Sequence, residues 1–177
     1  MNYSDNIFFE KAEIEDVKLL LNLAIKTFRD TYSDKNTKED MEIYVASEFT
    51  PEKILSELEN EDIEYHFAKI DDEIVGYLKV NFGDCQTEKD HPNTVELARV
   101  YVVKDYQGRK IGNSLIAKAM DIGRQRNAKY LWLGVWEENQ KAIRFYERNG
   151  FTIFGKHSFL LGEDLQEDWL MKYDLQG

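Results

Sequence analysis

One stretch of about thirty residues constrains the fold more than any other. The apolar β-type run Thr94 to Val103 leads into a short polar turn, Gln107-Gly108-Arg109-Lys110-Ile111-Gly112, and then into a helical stripe of Ile111, Leu115, Ala119 and Ile122. A strand that feeds a helix in this way leaves the first backbone N–H groups of the helix without partners, and the helix dipole adds partial positive charge there. With the helix expected to begin near Gly108, such a point suits a diphosphate. Arg109 and Lys110 add two formal charges, and Gly108 and Gly112 would let a ligand approach the backbone. The spacing is neither that of the dinucleotide fingerprint nor that of the nucleotide P-loop, so those two ligand classes fit poorly. Glycine and basic residues at a strand-to-helix turn also arise for structural reasons alone, so the rest of the chain has to decide.

The remaining elements are read from periodicity. Ile7 to Phe9 forms a short strand, and Ile14 to Tyr32 carries Val17, Leu20, Leu21, Ala24, Ile25 and Phe28 at helical spacing. Thr37 and Thr50 are N-cap residues for two further helices, the second with Pro51 at its first position. Tyr65 to Phe82 is a hairpin around Asp71-Asp72-Glu73, and Gly83 to Asn93 is a polar loop. After the central helix, which runs to about Arg126, come a strand at Tyr130–Val135 and a short helix from the N-cap Asn139 through Arg148, ended by Asn149-Gly150. Strands at about Thr152–Phe159 and Glu167–Asp174 close the chain. A hairpin demands antiparallel pairing and a β–loop–α–β unit demands parallel pairing, so the sheet must be mixed. The fold class is α/β (α+β): a twisted mixed sheet of six to seven strands with helices on both faces. Residues 1–177 contain no linker or repeat and only two prolines, so one domain is expected.

Composition excludes several function classes. The net charge of −11 repels nucleic acid phosphate and favours cations, although the same acidity serves solubility. No apolar run approaches the ~20 residues that span a bilayer, so no membrane partner is expected. The start, Met1-Asn2-Tyr3-Ser4-Asp5, lacks the basic and apolar regions of a secretory signal, and a cytoplasmic location is expected. Cys85 is the only cysteine, and His66, His91 and His157 are scattered, so neither a disulfide nor a metal site is expected. Adjacent strand residues face opposite ways, so His157-Ser158 is not a nucleophilic pair.

The turn Gln107 to Gly112 resembles the Arg/Gln-x-x-Gly-x-Gly/Ala loop of the GNAT superfamily of N-acetyltransferases, preceded by a strand, Ala98-Arg99-Val100-Tyr101-Val102, similar to that family's cofactor-binding strand. Asn139-x-x-Ala142-x-x-Phe145-Tyr146-Glu147-Arg148-x-Gly150-Phe151 is similar to its second conserved segment. The resemblance implies the GNAT fold and acetyl-CoA as acyl donor, held by Val100, Tyr101 and Val102, by the loop from Gln107, Gly108, Arg109 and Lys110 to Ile111, Gly112 and Asn113, and by Asn139 and Arg148. It further implies that Tyr146 protonates or hydrogen-bonds the leaving sulfur and that Glu96 lies where some members carry a general base. A side chain that only packs remains open for Tyr146, a solvated strand-end carboxylate for Glu96, and a helix-end cation for Arg148. The loop departs from the family at its fourth position, where glycine is usual and Lys110 stands here. Helical dihedrals are expected at Lys110, with Gly108 supplying the flexibility.

Thr27-Phe28-x-Asp30-Thr31-Tyr32, Leu133-Gly134-Val135-Trp136-Glu137 and His157-Ser158-Phe159 resemble bacterial spermidine/spermine N-acetyltransferases of the PaiA type. That narrower resemblance implies a polyamine acceptor, with Asp30, Asp34, Glu137 and Glu138 as candidate carboxylates for its ammonium groups, and a homodimer as a family-level expectation. A protein or peptide N-acetyltransferase and a non-catalytic CoA-binding module are the alternatives.

Overall fold

The computed structural model describes residues 6–177; the start from Met1 to Asp5 lies outside the described residues. Seven strands form one sheet: β1 Ile7–Lys11, β2 Ile63–Ile70, β3 Glu73–Phe82, β4 Val95–Val102, β5 Tyr130–Trp136, β6 Thr152–Leu161 and β7 Asp164–Asp174. Their spatial order is β1-β2-β3-β4-β5-β7-β6, and only β4 and β5 run parallel. The helices are α1 Val17–Tyr32, α2 Lys38–Glu48, α3 Pro51–Leu58, α4 Ile111–Gln125 and α5 Gln140–Arg148. The mixed sheet follows as expected from the hairpin and the single crossover through α4.

Local chemistry sets the element ends. Thr37 accepts a hydrogen bond from the Asp40 N–H and Thr50 from the Lys53 N–H, each satisfying a donor of a first helical turn. Asp71 and Asp72 both take positive φ, 53° and 24°, as a two-residue hairpin turn matched to strand twist requires. The last two strands are longer than their sequence pattern indicates and meet at a tight turn that Gly162 enters with φ 63°. Helix α4 starts at Ile111 rather than near Gly108, because Lys104–Tyr106 form a short 3₁₀ turn and the chain then stays extended at Gln107.

Two apolar cores lie on opposite faces of the sheet. One joins Leu115, Ile116 and Ala119 of α4 to Leu78, Leu131 and Met171 of the strands, with Phe145 and Tyr146 of α5 against it. The other joins Leu20, Ala24 and Phe28 of α1, Met41 of α2 and Ile54 of α3 to Tyr65 and Tyr77. Strand alternation divides β4 between them: Val100 and Val102 pack on the α4 side, Tyr101 on the α1 side.

Candidate active site

The sheet opens where β4 leaves β5. Their register is limited to Val95–Leu131 and Glu96–Trp132, so beyond Leu97 strand β4 pairs only with β3. The β3 register also slips here, from Lys79–Arg99 to Val80–Leu97, which leaves Ala98 as a bulge. Alternate backbone groups of β4 between Ala98 and Val102 therefore face a gap instead of a strand. Such groups need partners, and an extended ligand that enters the gap can supply them. Val100, Tyr101 and Val102 thus border this gap.

Just beyond this strand, Gly108 and Lys110 both take positive φ, 83° and 61°, and Lys110 serves as the N-cap of α4. This overturns the expectation of helical dihedrals at Lys110. A left-handed residue is needed to aim the chain into the helix, and the lysine accepts a conformation that costs an L-residue about 1–2 kcal/mol. Among the described residues nothing lies within 4 Å of a Cβ built on Gly108, so the space above the loop is open to them. Gly112 also meets a packing need: its Cβ would meet the Phe145 ring at 3.1 Å, so the missing side chain lets α5 pack on α4. Gln107, Arg109 and Lys110 are exposed; Gln107 Nε2 donates to Val102 O, and the Arg109 guanidinium sits 5.1 Å from the Tyr106 ring centre. The loop, the free N–H groups of α4 and two cations fit a diphosphate, and the gap beside β4 fits a pantetheine arm.

Asn113 and Asn139 bracket the same region. Asn113 accepts a hydrogen bond from Asn149 Nδ2, tying α4 to the end of α5, while Asn139 caps α5 by accepting from the Ala142 N–H at 3.2 Å. Tyr146 packs edge-on against Phe145 and Phe151. Burial, with a smaller effect of Tyr32 from the other face, pushes its phenol up from the ordinary value, so it stays protonated and able to donate. Arg148 is exposed in the last turn of α5.

On the α1 side the gap opens into a cleft of about 270 Å³. Its wall is aromatic, from Phe28, Tyr32, Tyr44, Tyr101 and Trp136, and its charged or ionisable lining is Glu48, Lys79, Glu96, Arg99, His157 and Asp168. Glu96 is not the solvated strand end considered above: it is 5% exposed and accepts from Asn81 Nδ2, the Thr87 N–H and Thr87 Oγ1. Lys79 Nζ is paired to Glu57 at 2.6 Å. Arg99 lies 4.6 Å from the Phe49 ring centre and donates to Tyr65 Oη; Glu57, hydrogen-bonded to the same hydroxyl, acts on it electrostatically, but no carboxylate comes within ion-pair distance of it among the described residues. The cleft carboxylates are Glu48, Glu96 and Asp168. Asp30, Asp34, Glu137 and Glu138 do not line it, because the first two lie on the outer side of the α1 end and Glu137 pairs with Lys156 at 3.3 Å.

Sequence reading missed Asp168 and His157. They are directly opposed in the β6–β7 register, and Trp136 of β5 opposes Asp168 on its other side. Three strands thus bring three residues of remote sequence onto one face. Oδ2 of Asp168 sits over Gly134, 3.1 Å from where a Cβ would be, and 3.9 Å from His157 Nε2. Burial outweighs the attraction of His157 and pushes the Asp168 carboxyl up to about 6. The signal available in sequence was the i, i+2 face of Gln166, Asp168 and Leu170, an acid in line with a buried leucine.

The sequence model of the acetyltransferase (GNAT) family matches residues 19–151. A protein of Lactobacillus delbrueckii subsp. lactis described as an uncharacterized N-acetyltransferase in the pepI 3′ region is 37% identical over 158 residues, 89% of this chain and 91% of its own. The spermidine N(1)-acetyltransferase of Thermoplasma acidophilum is 28% identical, covering 84% of this chain and 89% of its own. Among solved structures, the PaiA N-acetyltransferase of Thermoplasma acidophilum in complex with coenzyme A is similar at a TM-score of 0.76 and 25% identity, over 96% of this chain and 99% of that one.

Proposed function

The chain belongs to the acetyltransferase (GNAT) family, and from that premise we propose that it transfers acetyl from acetyl-CoA to a primary amine of a polyamine such as spermidine or spermine, by direct attack with both substrates bound. The observation that carries this reading is the opening between β4 and β5, reached by the diphosphate-type loop from the α4 side and by the aromatic, carboxylate-bearing cleft from the α1 side. Acetyl-CoA supplies the thioester. The loop from Gln107 to Asn113 binds its diphosphate with backbone N–H groups, Arg109 and Lys110 add charge, and Arg148 meets a terminal phosphate. The backbone of Val100 to Val102 orients the acyl arm and polarises its carbonyl. Asn139 holds the arm near the sulfur, and Tyr146 donates a hydrogen bond or proton to it.

Aromatic faces attract alkylammonium groups, and Asp168 supplies countercharge, Glu48 being already paired with Lys53 Nζ at 2.9 Å, which suits a flexible polycation. The relative named for spermidine supports the same acceptor. Arg99 favours a second reading: a guanidinium lining the cleft with no direct ion pair among the described residues suits an acceptor that carries a carboxylate beside its amine. Release of free CoA thiol from acetyl-CoA, measured with spermidine, spermine, an α-amino acid amine, a lysine peptide and no amine, separates the readings. Preferred turnover of spermidine or spermine supports the polyamine, and preference for the amino acid moves the assignment to Arg99. Preference for the peptide makes this a protein acetyltransferase, and no amine-dependent release makes it a CoA-binding module.

A further inference from the structure

An ammonium group cannot attack a thioester until it loses a proton; of the three cleft carboxylates Glu48 is paired with Lys53 Nζ at 2.9 Å, which leaves Glu96 and Asp168 to take it. Glu96 is engaged: its two oxygens accept three hydrogen bonds that tie β3 and the Thr87 segment to β4. Asp168 is not: its Oδ1 is buried with no hydrogen-bond partner among the described residues, and its Oδ2 lies over Gly134 at the mouth of the gap. Behind it, His157 Nε2 stands 3.9 Å away, and His157 Nδ1 lies 3.0 Å from Glu88 Oε1, close enough for an ion pair although not angled as a hydrogen bond. His157 and Glu88 are both part-exposed, with side-chain accessibilities of 26% and 31%. The loop that carries Glu88 is pinned by Gln86, whose Oε1 accepts from Trp132 Nε1 and Thr94 Oγ1.

We propose that Asp168 is the proton acceptor for the amine, and that His157 and Glu88 carry the proton from the cleft to solvent. The role rests on the amine acetylation proposed above. The acceptor's ammonium gives one proton to Asp168, and the freed nitrogen lone pair forms a bond to the thioester carbonyl carbon as the C=O π pair moves to oxygen. When that π bond re-forms, the C–S bond breaks and sulfur leaves with its electron pair. The second nitrogen proton goes to sulfur, directly or by way of Tyr146. One proton remains on Asp168 and passes through a solvent water, which the 3.9 Å to His157 Nε2 requires, to His157 and then by Glu88 to solvent, so ammonium and acetyl thioester become amide, thiol and one released proton. The carboxyl's position near 6 suits it to be charged at neutral pH yet to hold a proton briefly. The groups that face Asp168 are His157 from β6, Glu167 beside it on β7, and Tyr32 and Tyr44 from α1 and α2, with Glu96 and Arg99 of β4 lining the same cleft.

Asp168→Asn should retain CoA binding by calorimetry while kcat/KM at pH 7 falls about 100-fold or more. That loss should then shrink about tenfold per pH unit from pH 7 to 9, as free amine replaces the missing base, while the wild type changes far less. Unchanged turnover overturns the proposal, and so does a loss that raising the pH does not relieve. His157→Gln keeps the carboxylate and removes a neighbour that lowers its pKa, so the acid limb of kcat/KM should move above its wild-type position; a limb that stays put overturns the proposal even if Asp168→Asn fails to fold. A wild-type chain without amine-dependent thiol release defeats the acetylation reading itself, whereas variants that match an active wild type defeat only the proton route.

Discussion

Replacing Asp168 should make the protein more stable while making it a poorer catalyst. Its carboxyl sits near 6 against an ordinary value of 3.8, a difference of about two pH units. At 1.36 kcal/mol per unit, the folded state forgoes about 3 kcal/mol once the group is ionised in both states. The sign follows from proton binding. Between about pH 4 and pH 6 the native state holds a proton that the unfolded chain has lost, so wild-type stability falls as pH rises through that window and is level in this term above it. Asparagine carries no charge and abolishes the slope, but brings N–H donors that must find acceptors in the cleft, which reduces the net gain at pH 7.5 to about 1–2 kcal/mol. For a chain of this length that is a rise in Tm of about 2–8 °C. Thermal unfolding of both proteins from pH 4 to pH 8 should show the variant with the lower Tm at the acid end, where only the cost of the amide donors remains, and pulling ahead as pH rises. A variant less stable at pH 7.5, or a Tm difference that does not change with pH, would refute the claim that Asp168 is a buried, poorly compensated carboxylate.

Three other substitutions probe the site. Lys110→Gly removes the left-handed lysine and should raise stability by about 1 kcal/mol in denaturant unfolding, while weakening CoA binding through the lost ammonium; tighter binding would exclude a phosphate role for Lys110. Tyr146→Phe should keep the Tm within about 2 °C and CoA affinity unchanged but lower kcat at least tenfold, and unchanged turnover in a steady-state assay would remove Tyr146 from the chemistry. Glu96→Gln, which disturbs three hydrogen bonds, should cost about 1–3 kcal/mol by chemical denaturation with less than a tenfold change in kcat; a far larger kcat loss in a stable protein would transfer the base role from Asp168 to Glu96.

What was legible in the sequence follows from interaction range. The N-caps at Thr37, Thr50 and Asn139, the Asp71-Asp72 turn and the buried stripe of α4 depend on residues within four or five positions of one another, and all appear in the structure. The turn from Gln107 to Gly112 stands out in the sequence because its glycine, its cations and the helix start are contiguous. Its dihedrals do not, since helical and left-handed conformations at Lys110 are separated by a cost small enough for the rest of the fold to override. The carboxylates of the cleft lie beyond that range. Asp30, Asp34, Glu137 and Glu138 do not line it, whereas Asp168 meets His157 through the β6–β7 register and both meet the cleft only because β7 inserts between β5 and β6.

That insertion explains why one gap can serve two ligands. Strand β5 pairs along its whole length with β7, from Tyr130–Asp174 to Trp136–Asp168, so it keeps its course without β4. Strand β4 is likewise held along its other edge by β3, from Phe82–Val95 to Gly76–Val102. Each strand bordering the gap is thus fixed from behind, and the divergence beyond Glu96 leaves few backbone groups unpaired for a ligand to satisfy. The Ala98 bulge adds twist where the split begins. Alternation along β4 then assigns the sides: Val100 and Val102 meet α4 and α5, where the loop and Tyr146 lie, while Arg99 and Tyr101 border the acceptor cleft. A substitution that closed the gap, such as Gly134→Ala with its new Cβ 3.1 Å from Asp168 Oδ2, would press on the proton acceptor and narrow the acyl passage together. Its turnover should therefore fall for every amine, whereas a change in the aromatic wall such as Tyr44→Ala should shift the order of preference among amines. Comparing the two variants over the amine panel separates damage to the reaction from damage to recognition.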